Sequence, residues 1–350
     1  MNVMLTCAGR RSYNITIFKD AVRGRGQVFA CDSSADAAAL QDADEAFVVP
    51  KVDDPTYIDA LLALCDAHRV KLLVPALEPE LPLLAEHRAR FAAIGTVVLV
   101  SSPEIVATCY DKLATNHFLA RHGLAVPRTV LSLNEARLAL QKGDIRFPLV
   151  VKPRWGVSSF AVAFPVDEEE LELTYRLARK QLAHSFLATI SASDADRCVL
   201  IQEKLEGAEY GLDVVNDLEG RYVATFAKRK IRMRAGQTDR AITVHDERLA
   251  EIGRRIGQSL NHVGVLDCDL IVAADECYAI DLNPRIGGGY PFSHLAGANI
   301  PAALVAWTGG ETPDPRWFQV EPGVAVARGE TFIFTSRPSA AAPDLDLAIK

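Results

Sequence analysis

The sequence predicts an α/β protein in which an N-terminal parallel sheet precedes a larger part built on antiparallel strands. Three observations predict it. Over residues 1–100 the apolar runs VMLTCA, VFACD, FVVP, KLLVPAL and TVVLVS alternate with helical stretches, as in βαβ units. Later strands, such as CVLIQEKL and EYGLDVVND, follow one another across short connections that suit antiparallel pairing. Residues 264–289, GVLDCDLIVAADECYAIDLNPRIGGG, then read as a hairpin with acids on one face and apolar residues on the other.

Composition narrows the function. The chain has 350 residues, 49% of them hydrophobic, enough to bury substantial cores in two or three units. A net charge of -7 gives no bulk attraction to nucleic acid or anionic membrane, so anion binding must come from local clusters. Seven cysteines without a C-x-x-C pair argue against a disulfide framework and a zinc ribbon, and fit a reducing cytoplasm. The start, MNVMLTCAGRRSYN, has a short apolar run before its arginines, the reverse of a signal peptide, and no apolar stretch reaches membrane-spanning length.

In chain order, the first strand-to-helix turn, Ala8-Gly9-Arg10-Arg11-Ser12, lacks G-x-G-x-x-G, so NAD binding is not expected although Asp32 follows at a ribose-reading distance. No P-loop occurs. Ligands of such sheets sit beyond the strands' carboxyl ends, where Gly9, Arg10, Arg11, Asp32 and Glu78 fall. Ser102-Pro103-Glu104 starts one helix, and a second spans Asp111 to His122 before Gly123 and Pro127. Lys112 in its first turn opposes the helix dipole, so it is either solvated or aimed at an anion. The strand FPLVVKP carries Lys152 into Arg154–Ser159, either a plain turn or a flap whose amides and Ser158 and Ser159 hydroxyls cover phosphates. A helix over 167–183 and a mobile loop over 188–196 follow.

The connection Glu206-Gly207-Ala208 brings Glu203 and Glu209 near each other. The next strand, RYVATFAKRKI, opens into Arg232-Met233-Arg234, and basic residues crowd between Lys228 and Arg240. No aromatics interleave there as a base-stacking platform needs, so phosphate binding fits better than nucleic acid. An amphipathic helix over Asp246–Asn261 precedes the acid hairpin; a helix over Ile300–Thr308, a strand VAVARGETFIF and a frayed tail at 336–350 come after it.

With a turn near Asp275, antiparallel pairing sets Asp269 opposite Asp281 and Asp267 opposite Asn283. These odd positions share a face, while Leu266, Cys268, Leu270, Tyr278, Ile280 and Leu282 take the other. The alternative is the exposed face of an ordinary edge hairpin. Clustered carboxylates repel, and a hard divalent cation relieves them; oxygen-only ligands favour magnesium or manganese. Arg285 and then Gly287, Gly288 and Gly289 add a fixed cation and a bare backbone suited to an anion.

Taken in order, the N-terminal lobe, the Asp-Lys helix, V-V-K-P, Q-E-x-x-x-G-x-E and D-L-N-P-R resemble the ATP-grasp superfamily over nearly the whole chain, with the flavour of its carbamoyl-phosphate-synthase-like branch, which includes stand-alone carboxylate-amine ligases. The resemblance implies an ATP-grasp fold: a preATP-grasp domain at 1–108, a lid with linking helices at 109–200, an antiparallel α+β catalytic subdomain at 201–335 and the tail. It implies that Lys112 and Lys152 contact ATP phosphates or the adenine edge, Glu203 with the backbone of Lys204 and Leu205 binds adenine, and Glu209 takes the ribose. Asp269, Asp281 and Asn283 would hold Mg2+ or Mn2+. Arg285 would steady the transferred phosphoryl group with help from Arg232, for which Arg229, Lys230 or Arg234 are alternatives because strand phase is open. The family commonly has glutamate where Asp281 stands. Glu78, Glu80 and the glycines at 287–289 would meet substrate, with His294 nearby.

The implied activity is ATP-dependent activation of a small carboxylic acid as an acyl phosphate and its coupling to an amine. The alternatives are phosphorylation of bicarbonate or carbamate, and a non-catalytic ATP-binding regulatory protein. The implied partners are the two small substrates and a second copy in a homodimer, without nucleic acid or membrane.

Overall fold

A computed structural model describes residues 1–156, 159–274 and 276–335. Five parallel strands, in order β3-β2-β1-β4-β5, form the N-terminal sheet: β1 (Asn2–Thr6), β2 (Val28–Asp32), β3 (Glu45–Val48), β4 (Val70–Pro75) and β5 (Val97–Val98). The helices α1 (Ser12–Val22), α2 (Tyr57–Ala67) and α3 (Leu81–Ala93) make the crossovers. Val3, Leu5, Val28, Ala30 and Leu72 point into one core and Met4, Phe29, Cys31 and Leu73 into another, so the central strands are apolar on both faces.

Two helices, α4 (Pro103–Tyr110) and α5 (Lys112–Arg121), lead to a small antiparallel sheet of β6 (Thr129–Val130), β8 (Val199–Glu203) and β7 (Leu149–Pro153), in that spatial order. It is covered by α6 (Leu133–Gln141) and α7 (Glu168–Ala183), each started by a side chain that caps it, Ser132 and Asp167. The loop expected over 188–196 is instead ordered as α8 (Ala188–Ala192) and a 3-10 turn at Ala195–Arg197. Buried Leu187 and Ser191 anchor it from inside, and Asp194 is held by Arg154 at 2.7 Å.

The third sheet runs β13-β12-β9-β10-β11-β14, antiparallel throughout, from β9 (Ala208–Asn216), β10 (Tyr222–Arg234), β11 (Gln237–Val244), β12 (Val265–Ala273), β13 (Glu276–Asn283) and β14 (Ala325–Ala327). The helix α9 (Glu247–Leu260), capped by Asp246, lays Leu249, Ile256 and Leu260 onto one face, where Leu212, Val214, Leu266, Cys268 and Leu282 meet them. α10 (Tyr290–Leu295) and α11 (Ile300–Thr308) lie toward the N-terminal unit. Two expectations need correction. β10 continues past Ile231 to Arg234, where Ala235 and Gly236, both at positive φ, turn it into β11. The last strand stops at Ala327, and Phe332 and Phe334 beyond it are exposed. The tail at 336–350 lies outside the described residues.

All seven cysteines are free, and five are buried as small apolar fillers. Among the described residues no helix is long and apolar enough to cross a membrane.

One core joins the first and third sheets: Val3, Leu5 and Leu72 pack in the same cluster as Val215, Phe226, Val265, Ile286, Tyr290 and Leu304. Leu304 is fully buried, so Leu304→Ala is expected to destabilise by about 2–5 kcal/mol. Urea unfolding should show this as one earlier transition for both sheets; two separated transitions would contradict a shared core.

Candidate functional site

The acid hairpin has the expected register, with Asp267 opposite Asn283 and Asp269 opposite Asp281. Beyond Asp269 the ladder slips, so that Leu270 faces Ala279 and Ile280 is the extra residue of a β-bulge. One inserted residue reverses the alternation of everything nearer the turn. Ala279 therefore joins Leu282 in the apolar core where Tyr278 and Ile280 were expected. The turn residue Asp275 lies outside the described residues.

The acid face is neutralised by cations from α5, β10 and the segment after β13. At the start of α5, Lys112 donates to Asp281 Oδ1 at 2.9 Å and to the Gly156 carbonyl at 3.1 Å. It is held there because Asp111 caps α5 through the amides of Leu113 and Ala114 while its carboxylate takes the Arg154 Nε and Nη2 at 2.8 and 2.6 Å. On β10, Lys230 bridges Asp269 at 2.7 Å and Glu209 at 2.8 Å. One step along, Lys228 reaches Asp213 at 2.6 Å, and Ser293 donates to the same carboxylate at 2.5 Å. Beyond β13, Arg285 donates to Asp267 at 2.9 Å and, through Nε and Nη2, to Glu78 of the N-terminal unit.

Proton affinities follow from this layout. Burial alone would raise the Asp281 carboxyl, but Lys112 and Lys152 outweigh it and hold Asp281 below the usual carboxylate range. For Asp269, burial wins over Lys230, and with Asp267 adding to it the carboxyl is pushed up to about 6. The ammonium of Lys152 on β7 makes no hydrogen bond or ion pair among the described residues. Burial, with Lys112 beside it, pushes its ammonium down to about 8.

The other expected residues scatter more. Arg232 lies past a register shift at Ile231, with 62% of its side chain exposed, and reaches only Asp239 at 3.6 Å. Lys230, one of the alternatives left open, occupies the acid face in its stead. Glu203 turns its carboxylate to the Arg128 amide at 2.8 Å, Lys204 lies over the Phe164 ring, and Leu205 is half-buried. Ser159 is exposed at φ 57°, and Ser158 falls outside the described residues. Glu78 is at the site, as partner of Arg285. Glu80 is not: fully buried, it accepts from Thr6, Tyr57 and the amides of Ala76 and Leu77, because it closes the turn that presents Glu78. Gly287 is required where it stands, since a methyl group there would overlap the Asp267 carboxylate. Gly289 lies against the Lys228 stem, and the Gly288 carbonyl accepts from Arg328 at 2.9 Å.

Sequence reasoning missed Arg328, the Lys228–Asp213–Ser293 group and the Asp111–Arg154 pair. A signal for the second existed: Glu209, Gly211 and Asp213 alternate on β9, and the lysine stems of β10 lie over Gly211. Among the described residues no group of three or more His, Cys, Asp or Glu converges as a ready-made metal site. The donors nonetheless suit a hard cation: Asp269 and Asp281 give carboxylates, and Asn283, whose amide nitrogen donates to Asp281 at 3.3 Å, adds an amide oxygen. Two carboxylates are what magnesium takes when phosphates complete its shell.

Comparison with known proteins agrees with this geometry. The family described as PylC-like, N-terminal domain matches residues 3–99, and the ATP-grasp domain family matches residues 109–289. The carbamoyl phosphate synthase large chain of Campylobacter jejuni is 26% identical over 62% of this chain, and that of Bifidobacterium animalis 25% over 79%. The chain spans only 20% and 25% of their lengths. Among solved structures, Rhizobium etli pyruvate carboxylase has a TM-score of 0.72 at 17% identity, covering 91% of this chain and 30% of its own. The Hydrogenobacter thermophilus 2-oxoglutarate carboxylase biotin carboxylase domain, solved as a dimer with MgADP, ADP and bicarbonate, has a TM-score of 0.69 at 17% identity, covering 89% and 70%. Staphylococcus aureus N5-carboxyaminoimidazole synthetase has a TM-score of 0.66 at 16% identity, covering 90% and 78%. At these identities the likeness establishes the fold.

Lys152 generates a prediction. With its pKa pushed from 10.5 to about 8, Lys152 holds its proton more weakly in the folded chain than in the unfolded one. Its charge therefore destabilises the ligand-free fold below about pH 8, an effect that fades as pH rises toward 10.5. Lys152→Met is expected to raise the melting temperature at pH 7 and lose that advantage by pH 10. It should also weaken ATP binding about ten- to a hundredfold at pH 7. Calorimetry across pH measures the first effect and nucleotide titration the second; a variant less stable than wild type at pH 7 would contradict the assignment.

Proposed function

Because the chain belongs to the ATP-grasp superfamily, we propose that it is an ATP-dependent ligase that activates a small carboxylic acid as an acyl phosphate and couples it to an amine, releasing ADP and phosphate. One observation carries this reading. Two acids of one hairpin, Asp269 and Asp281, are each held by a lysine from a different element, with Arg285 beyond them and Lys152 free to take a phosphate.

A carboxylate has no leaving group an amine can expel, so the acid must be activated first. Its oxygen attacks the γ-phosphorus of ATP, the bond to the β-phosphate oxygen breaks, and ADP departs. The amine nitrogen then attacks the acyl carbon, the carbon–oxygen bond to phosphate breaks, and a proton leaves the nitrogen. Lys152 and Lys112 bind the nucleotide phosphates, and Lys112 exchanges its Asp281 and Gly156 contacts for them. Glu203, with Lys204 and Leu205, takes the adenine and Glu209 the ribose; Asp269, Asp281 and Asn283 would hold Mg2+. The ion, when bound, neutralises charge developing on the transferring phosphoryl group. Arg285, anchored by Glu78 and Asp267, faces the same charge with its remaining N–H capacity, and the amides at 287–289 receive the acyl oxygen. The homodimer belongs to the same reading, and sedimentation velocity measures it.

A second reading has a specific basis: the Hydrogenobacter domain is described with bicarbonate. Bicarbonate as the acid would use the same phosphorylation step. The deciding experiment is an ADP-release screen of amino acids, other small carboxylates and bicarbonate, singly and with amines, followed by product mass. ADP formed with bicarbonate alone would favour the second reading, and tight ATP binding with no ADP from any pair would favour a regulatory protein. Asp281→Ala and Asn283→Ala are each expected to lower kcat about a hundredfold or more while leaving the fold intact. Rates near wild type in both variants would remove these residues from the metal site.

A further inference from the structure

The cleft between the N-terminal unit and the glycine run holds cations that the ligase chemistry does not use. We propose that the acid accepted here carries a second negative group, which docks on Arg10, Arg11 and Arg328. The proposal rests on the ligase reading and specifies the substrate class of that same site.

The first wall is the turn from β1 into α1. Arg10 is exposed and Arg11 half-buried, and neither guanidinium makes a hydrogen bond or ion pair among the described residues. Asp32, the nearest acid along the strand ends, is already engaged: it accepts from the Gly9 amide at 2.8 Å and the Ser34 amide at 3.0 Å. That contact fixes the loop at Gly9, whose φ of 53° favours glycine, and leaves both guanidinium groups unneutralised. Arg11 is also the N-cap position of the 11-residue α1, and no side chain caps that helix. The Asn14 amide closes onto the Arg11 carbonyl, and the positive end of the helix dipole is left for an anion. In the same turn, Ser12 Oγ is buried without a partner, and Asn14, 2% exposed, has an unpartnered Oδ1. Buried polar groups of this kind call for a polar ligand.

The second wall is Arg328. It donates to the Gly288 carbonyl at 2.9 Å and to the Gln237 side chain, and its guanidinium lies 5.9 Å from the centre of the Tyr13 ring. Tyr13 belongs to the first turn of α1 and Gly288 to the run beside Arg285, so Arg328 spans the two walls. None of these partners is a carboxylate, and its charge is undiminished. Arg285, by contrast, is balanced by Glu78 and Asp267. The two ends of the cleft therefore differ in net charge: the reacting carboxylate meets the balanced end, and a distal anion is drawn to the unbalanced one. In a chain of net charge -7 such a local excess is needed to capture an anion against the overall field.

The test is isothermal titration of the full chain without nucleotide. Succinate and glutarate serve as dicarboxylates, 3-phosphonopropionate as a phosphonate-bearing acid, and butyrate and valerate as singly charged controls. The doubly charged probes are expected to bind about tenfold more tightly or better. The tighter of the carboxylate and phosphonate arms identifies the second group. Arg10→Gln and Arg328→Gln should each reduce the preference several-fold. Arg10 is exposed and its side chain makes no hydrogen bond or ion pair among the described residues, so its loss is expected to leave the fold intact, and ADP affinity checks the integrity of Arg328→Gln. Equal affinity for singly and doubly charged acids, or an unchanged preference in both variants, would overturn the proposal. The titrations contain no ATP, so a dianion preference without ADP release from any acid would reject the ligase reading alone. ADP release best supported by singly charged acids and indifferent to Arg10→Gln would reject the anion site alone.

Discussion

Repulsion among clustered acids is the constraint on which the site depends. Asp213, Asp267, Asp269, Asp281 and Glu209 share one face of the third sheet, and each is met by a lysine or arginine at 2.6 to 2.9 Å. Removing one partner from the fully buried Lys228–Asp213 pair strands the other charge, at a cost of about 3–5 kcal/mol. The cations come from β10, α5 and the segment after β13, and the arginine is in turn held by the N-terminal unit. The sheet can be this acidic because the rest of the fold is assembled around it.

The pairs differ in what a nucleotide could do to them. Lys228 and Asp213 are 1% and 0% exposed in their side chains and joined by Ser293 at one carboxylate oxygen, which marks them as a fixed support under Gly289. Lys112 and Asp281 are 13% and 24% exposed, open enough for phosphate and cation to exchange with them. Lys152, which makes no side-chain hydrogen bond among the described residues, feels Asp281 only through space. In the proposed reading, nucleotide binding draws on the loosest charges and leaves the tightest in place.

Much of this was legible in the sequence. Alternating acids in LDCDL and AIDLN gave both the hairpin and its register at Asp269 and Asp281, because a two-residue period leaves a strand no other way to bury Leu266, Cys268 and Leu282. Parallel-sheet order followed from apolar runs spaced by helices. What stayed hidden was set by single-residue irregularities. The bulge at Ile280 exchanged Ile280 for Ala279 in the core, and the slip at Ile231 moved Arg232 out and left Lys230 as the cation facing Asp269. Neither bulge carries a glycine or proline to announce it. Glu80 misled for another reason: a carboxylate in PALEPEL reads the same whether it faces the cleft or folds inward onto Thr6 and Tyr57, and only tertiary contacts decide.

Asp111 fastens two things at once. Its carboxylate starts the helix that carries Lys112 and also grips Arg154 at the end of β7. The ammonium that quenches Asp281 is therefore tied, through a single aspartate, to the lid sheet as well as to its own helix.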